Sequence, residues 1–201
     1  HNEQGSIGDG FVAFVSSPVK AESPATFTSV FAGETYVTAR DQTGNYLSWG
    51  DNEWGQYGDG TELRQAVPSP SVSLPGFTTY SAGGHHAIAL KGDGTVWTWG
   101  SNEQGQLGDG QFSNQALPKQ VPGLTGMIGV AGGYTFSAAV KSNGTVWTWG
   151  NNGSGQLGLG NSGAGTNRLV PTQTALAAIA YSRTSAQPTI HATSSPSTAY
   201  A

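Results

Sequence analysis

The sequence predicts an all-β fold made of four-stranded antiparallel sheets repeated about every fifty residues, the blades of a β-propeller. Three observations predict it. Trp49, Trp99 and Trp149 are spaced by 50 and 50, and Asn2, Asn52, Asn102 and Asn152 keep the same interval, as do Gly5, Gly55, Gly105 and Gly155. Upstream of the tryptophans, Thr43-Gly44, Asp93-Gly94 and Asn143-Gly144 mark hairpin turns, and the two dipeptides Asp-Gly and Asn-Gly suit a type I′ turn. The flanks of those turns alternate in the period of two that puts successive side chains on opposite faces of a strand.

The elements follow in chain order within each repeat. A first strand is expected at "TSVFAG", "TTYSAG" and "IGVAGG", whose paired small residues let backbones approach closely. The second and third flank the hairpin: "HHAIAL" and "YTFSAAV" on one side, "NYLSW" and "TVWTW" on the other. Leu47 shares a face with Trp49, Trp97 with Trp99, and Trp147 with Trp149. A glycine cassette comes next, "GSNEQGQLGDG" in its fullest form, and a fourth strand follows it near "ALPKQV" at 116–121. No helix is expected, because the one candidate, "QTALAAIAYS" at 173–182, lies at a position that is a strand in the other repeats.

Burial explains the repetition. A single four-stranded blade has two apolar faces and cannot cover both, so neighbouring blades must stack. Each tryptophan can bury roughly 150–250 Å² in that contact, several kcal/mol at about 25 cal/mol per Å². The cassettes therefore read as masonry. With Leu159 where Asp109 stands in the neighbouring copy, Asp109→Ala is expected to cost little.

The pattern "G-x-V-W-x-W-G-x-N-x-x-G-Q-L-G-x-G", preceded by "AGG" and a strand ending in Ala-Leu or Ala-Val, resembles the repeat of the regulator of chromosome condensation family over residues 1 to about 182. The resemblance implies a propeller, usually of seven blades. Only part of such a ring is present: two intact repeats, one with "AGETY" in place of "AGG", and broken ends, so 1–182 is expected to be repeats with the first and last incomplete. Residues 183–201, rich in Ser, Thr, Ala and Pro, read as a tail, a linker or a degenerate repeat, and opening at His1 inside a cassette reads as a fragment or a processed piece.

Composition narrows function. The net charge is -4 with eight Lys and Arg scattered singly, so the footprint of a phosphate-binding surface is missing and no nucleic-acid partner is expected. There is no cysteine, hence no disulfide framework and no thiolate metal site. No apolar run reaches the roughly 18 residues of a membrane helix, so no membrane insertion is expected. Low charge and a Thr/Ser/Gly-rich surface favour a secreted or cell-surface bacterial protein, with a cytoplasmic one as the alternative.

Each candidate chemistry meets a plainer reading. "GSGQLG" at 153–158 fits a phosphate-loop pattern but lacks the βαβ context, so it is read as a turn. Asp9, Asp59 and Asp109 with Glu3, Glu53 and Glu103 could form carboxylate pairs, yet the last copy carries Leu159 and Gly153 in those slots. His85 and His86 are adjacent and point apart, and His86 matches Tyr36 and Phe136, an aromatic packing slot. No catalytic, cofactor or metal residue is therefore assigned.

Trp54 is the exception, an aromatic in a slot that holds Gln4, Gln104 and Ser154 elsewhere, which makes it a binding-contact candidate against the alternative of local packing. Tyr57, in the slot of Ile7, Leu107 and Leu157, is expected to pack. The leading expectation is a non-enzymatic scaffold that binds a protein partner through the stretches between cassettes, near 11–26, 61–73, 111–120 and 161–170. The alternatives are a guanine-nucleotide exchange factor-like regulator of a small GTPase, which the resemblance implies, and a glycan-active propeller enzyme. Open blade edges also predict self-association.

Overall fold

The structure, a computed structural model, describes residues 2–72 and 76–174. Among the described residues, twelve strands form three sheets. Blade 1 comprises β1 (Phe27–Ala32), β2 (Tyr36–Asp41), β3 (Tyr46–Gly50) and β4 (Gln65–Pro70); blade 2 comprises β5 (Phe77–Ala82), β6 (His86–Lys91), β7 (Val96–Gly100) and β8 (Gln115–Gln120). Blade 3 comprises β9 (Met127–Gly132), β10 (Phe136–Lys141), β11 (Val146–Gly150) and β12 (Arg168–Gln173). Each sheet is an antiparallel meander in chain order, and no helix occurs among the described residues. The proposed helix-or-strand at 173–182 and the tail at 183–201 fall almost wholly outside the described residues.

The hairpins differ from the expected type. Among the described residues none other than glycine has a positive φ, so Asp93 and Asn143 do not enter the left-handed region that a type I′ turn demands. Gly94 N donates to Lys91 O, Lys91 N donates to Thr95 O, and Gly94 alone has φ 79. That is a three-residue loop with a glycine bulge, in which Asp93 accepts from Thr95 N and Thr95 Oγ1 instead of bending its own backbone.

Adjacent blades stack face to face. Trp99, Ala87, Ala89 and Tyr80 of blade 2 pack with Tyr46 of blade 1, joined by the linker residue Val72. On the other face of blade 2, Ile88, Leu90 and Val96 meet Ala139 and Trp149 of blade 3, with Val121 and Leu124 of the linker sealing the end. The tryptophan face of each blade thus looks toward the preceding blade. Trp99 and Trp149 are fully buried.

The cassettes lock this stack, and they do so across blades. Trp49 Nε1 donates to Ser6 O at 2.9 Å, Trp99 Nε1 to Gln56 O at 3.0 Å and Trp149 Nε1 to Gln106 O at 2.9 Å. Each cassette therefore seals the tryptophan of the following blade. Glycine is needed there: at Gly58 and Gly108, φ is +72 and +71, and a Cβ would stand 2.7 Å from the indole Nε1 of Trp99 and Trp149. The other end of the cassette is tied to its own blade, where Thr98 Oγ1 donates to Leu107 O and Thr148 Oγ1 to Leu157 O, both at 2.8 Å.

His86 occupies the aromatic slot as expected, fully buried between blades 2 and 3. Ser137 Oγ donates to Gln106 O at 2.8 Å, which leaves its lone pair to accept from His86 Nε2–H at 2.9 Å and sets the neutral tautomer. Burial pulls the imidazole pKa from 6.5 down to about 4, helped by neighbouring His85. Between those values the unfolded chain holds the extra proton and the fold does not, so stability falls as pH falls. Going from pH 7 to pH 5 should cost about 2 kcal/mol through this residue. His86→Phe, installing the blade 3 residue, should remove that part of the acid sensitivity in denaturant titrations; an unchanged pH slope would mean that His86 is not a neutral core histidine.

Candidate protein-binding face

The cassettes and the β1–β2, β5–β6 and β9–β10 turns lie at one end of the blades, and the β2–β3, β6–β7 and β10–β11 turns lie at the other. At the cassette end, a buried asparagine organises each loop. Asn2 Nδ2 donates to Phe11 O and Ala13 O, Asn52 Nδ2 to Thr61 O and Leu63 O, and Asn102 Nδ2 to Gln111 O and Ser113 O. The Oδ1 atoms accept from the backbone N–H of Ile7, Tyr57, Leu107 and Leu157, inside the same cassettes. The asparagine period marks a set of pins. They hold the backbone of the following loop and leave its side chains free to vary.

Large apolar side chains are exposed on those loops. Phe11, Phe14, Leu63 and Phe112 come from three successive register-equivalent loops and are 59–75% exposed. Of the stretches expected to carry function, 65–70, 115–120 and 168–170 lie in the fourth strands of the blades, and the other described parts are loops. Beside Leu63 a cleft of about 510 Å³ is lined by Gln4, Asp51, Glu53, Glu62 and Arg64, with the Arg64 guanidinium held by Gln4 Oε1 at 2.8 Å.

Trp54 sits at this end, half-buried rather than fully exposed. Its slot has a structural use in neighbouring copies, since Gln4 bonds Arg64 of blade 1, and Gln104 accepts from Asn151 and Asn167 of blade 3. Trp54 replaces such a polar cross-link with an aromatic surface. Tyr57 packs as expected, buried, its hydroxyl donating to Gly50 O at 2.7 Å and accepting from Gln65 N. Burial raises its pKa.

Asp109 departs from expectation. Its carboxylate accepts from Gln111 N, Asn102 Nδ2 and Lys119 Nζ, the last at 2.9 Å. Burial pushes its pKa up, but those bonds outweigh burial and hold it below the usual carboxylate range. Leu159 in the equivalent slot therefore does not make Asp109 dispensable.

A constellation that the period hides lies between blades 1 and 2. His85 Nε2 is 2.7 Å from Glu34 Oε2, and its Nδ1 is 3.4 Å from Thr35 Oγ1 and 3.8 Å from Asp51 Oδ2. Thr35 Oγ1 and Gln56 Nε2 donate to that same Asp51 oxygen. The carboxylates flank opposite sides of the imidazole, so they cannot converge with it on one cation. Chemically this is a blade-to-blade clasp. Glu34 also raises the pKa of Tyr134, by hydrogen bonding first and by charge second, across an axial groove of about 390 Å³ floored by the glycine turns of all three blades. The signal was in the register: Glu34 matches Gly84 and Tyr134, Asp51 matches Ser101 and Asn151, and His85 matches Thr35 and Thr135.

Sequence comparison matches the Regulator of chromosome condensation (RCC1) repeat to residues 43–90, 93–140 and 143–178, and a second form of that repeat to 128–156. No curated protein matches the chain. Among solved structures it is similar to Prp20p from Saccharomyces cerevisiae, described with its binding properties to Gsp1p and histones: 24% identity, TM-score 0.64, covering 73% of this chain and 38% of that one. It is similar at 25% identity and TM-score 0.64 to yeast RCC1 (Prp20) bound to Kap60, over 73% of this chain and 36% of that one. Human WBSCR16 gives 22% identity and TM-score 0.67 over 86% and 45%. These likenesses carry the fold. The chain spans less than half the length of each of these proteins.

Proposed function

Because the chain belongs to the regulator of chromosome condensation repeat family, we propose that it is a non-enzymatic scaffold that binds a protein through the cassette end of its blades. The exposure of Phe11, Phe14, Leu63 and Phe112 on equivalent loops carries this reading. Large apolar side chains on pinned backbones lose little conformational freedom when a partner covers them, the economy that interface anchors share. Trp54, half-buried in the adjoining cassette, belongs to the same surface. The yeast relatives, described with protein partners, support a binding role in general terms. The outward face of blade 3, an apolar trough of about 230 Å³ bordered by Ala138, Val140 and Val146, favours self-association as a second contact.

The test is affinity capture from the source organism followed by direct binding of the captured protein. Replacing Phe11, Phe14, Leu63 and Phe112 together by serine should weaken that binding at least about tenfold, a loss of 1.4 kcal/mol or more, without lowering the unfolding midpoint. Equal binding by the variant would contradict the assignment. A loaded-nucleotide release assay on the same samples separates simple binding from exchange activity.

A further inference from the structure

Two Asn-Gly pairs occur in the sequence, Asn143-Gly144 and Asn152-Gly153, and the fold treats them oppositely. The side-chain carbonyl of an asparagine is open to attack by the next backbone nitrogen when glycine follows, because glycine has no Cβ to stand in the way. Asn143 lies in the β10–β11 turn, at the end of the blades away from the proposed protein-binding face. Asn143 and Gly144 are both exposed, and a Cβ built on Gly144 meets nothing within 4 Å. Blades 1 and 2 carry Thr43 and Asp93 in this slot, so of the three turns only that of blade 3 has the reactive pair.

The turn presents this side chain with its amide nitrogen free. Asn143 Oδ1 accepts from Thr145 N at 3.1 Å and from Thr145 Oγ1 at 2.7 Å, which draws electrons from Cγ, and Nδ2 has no hydrogen bond among the described residues. One bond opposes reaction: Gly144 N donates to Lys141 O at 2.8 Å. It closes an exposed hairpin tip, and a bond of that kind opens locally without unstacking the blades. Asn152 is held on every side. It is fully buried, its Oδ1 accepts from Leu157 N, and its Nδ2 donates to Asn161 O, Asn161 Oδ1 and Thr166 Oγ1. Gly153 N is tied to Asn151 Oδ1 at 2.7 Å. Ring closure there would pull out the pin that organises the cassette.

We propose that Asn143 is a self-modification site, deamidated in the folded chain without an enzyme, and that the cassette spares Asn152. Gly144 N loses its proton and bonds to Asn143 Cγ, the Cγ–Nδ2 bond breaks, and Nδ2 leaves with a proton as ammonia. The succinimide so formed is opened by water. Addition at Cγ gives aspartate, and addition at the main-chain carbonyl of residue 143 gives isoaspartate. Either product adds a negative charge to the chain. Aspartate gives blade 3 the turn of blade 2, where Asp93 accepts from Thr95 N at 2.9 Å and from Thr95 Oγ1 at 2.6 Å. The fold therefore already accommodates that product in an equivalent turn.

The experiment is incubation of the 201-residue chain in mildly alkaline buffer, folded and in denaturant. Cleavage at the intervening Trp147 and Trp149 then separates the segments holding Asn143 and Asn152, whose masses are followed with time. In denaturant both segments should gain one mass unit. In the folded chain the Asn143 segment should gain it about tenfold or more faster than the Asn152 segment, since opening a hairpin tip costs less than opening a cassette. The converted chain should elute from an anion exchanger with Asn143→Asp, which should keep the unfolding midpoint of the parent, and Asn143→Gln should abolish the early conversion. Should Asn143→Gln not fold, the two segments of the parent chain decide alone. The proposal is overturned if the folded chain leaves Asn143 unchanged while the denatured chain converts it, or if Asn152 converts as fast as Asn143 in the folded chain.

Discussion

Trp99→Ala is expected to destabilise the chain by about 3–5 kcal/mol, the cost of deleting a large aromatic from a sealed site. The indole lies between blades 1 and 2 with no exposed surface, 5.9 Å from the Phe77 ring and 5.7 Å from the Tyr80 ring. Its removal loses that packing and leaves Gln56 O without its donor. Gly58, which approaches the indole closely, cannot move in to fill the space because its own φ is fixed by the cassette. Denaturant unfolding measures the loss. For comparison, Asp109→Ala should cost about 1–2 kcal/mol, more than its replacement by Leu159 in the next copy suggests, because Gln111 N and Lys119 Nζ lose their acceptor and Asn102 Nδ2 loses one of three. Equal small effects at both positions would remove Trp99 from the core.

Asn102→Ala should cost about 3 kcal/mol, through unpaired groups rather than lost apolar area. The side chain is fully buried and satisfies Leu107 N on one side and the carbonyls of Gln111 and Ser113 on the other. Without it, a buried N–H is stranded and the 111–114 loop is untethered at two points. Amide exchange should quicken at Leu107 together with the loop, in addition to the shift in the unfolding midpoint. A cost below about 1 kcal/mol would mean that water replaces the pin without strain, and the rigid-loop argument for the binding face would lose its basis.

Much of the architecture was legible because a propeller repeats its packing problem. The fifty-residue interval, the alternating strands and the burial of Trp99 and Trp149 all follow from a face that must be covered again in each blade. What the repeat hides is relational. Nothing in "GQLGDG" says that Gly108 meets Trp149 of the next blade, since the pairing is made by stacking and not along the chain. The Asp-Gly dipeptides were compatible with two turn types, and loop length decided between them through Gly94. Glu34 and Asp51 were passed over and His85 was weighed only beside His86, because each departs from the period singly, and only the stacked turns bring them together. Trp54 was legible as an anomaly, but its half-burial depends on the cassette around it.

The central claim is that each cassette is masonry that clamps the tryptophan of the following blade. Hydrogen exchange of the six indole N–H groups, read on tryptophan-labelled chain, tests it most directly. The indoles of Trp99 and Trp149 should exchange only with opening of the stack, and Trp49, bonded to Ser6 O in a cassette of the same kind, should be protected with them, while half-buried Trp54 exchanges faster. If the Trp99 and Trp149 indoles exchange as fast as that of Trp54, the cassettes do not clamp the blades.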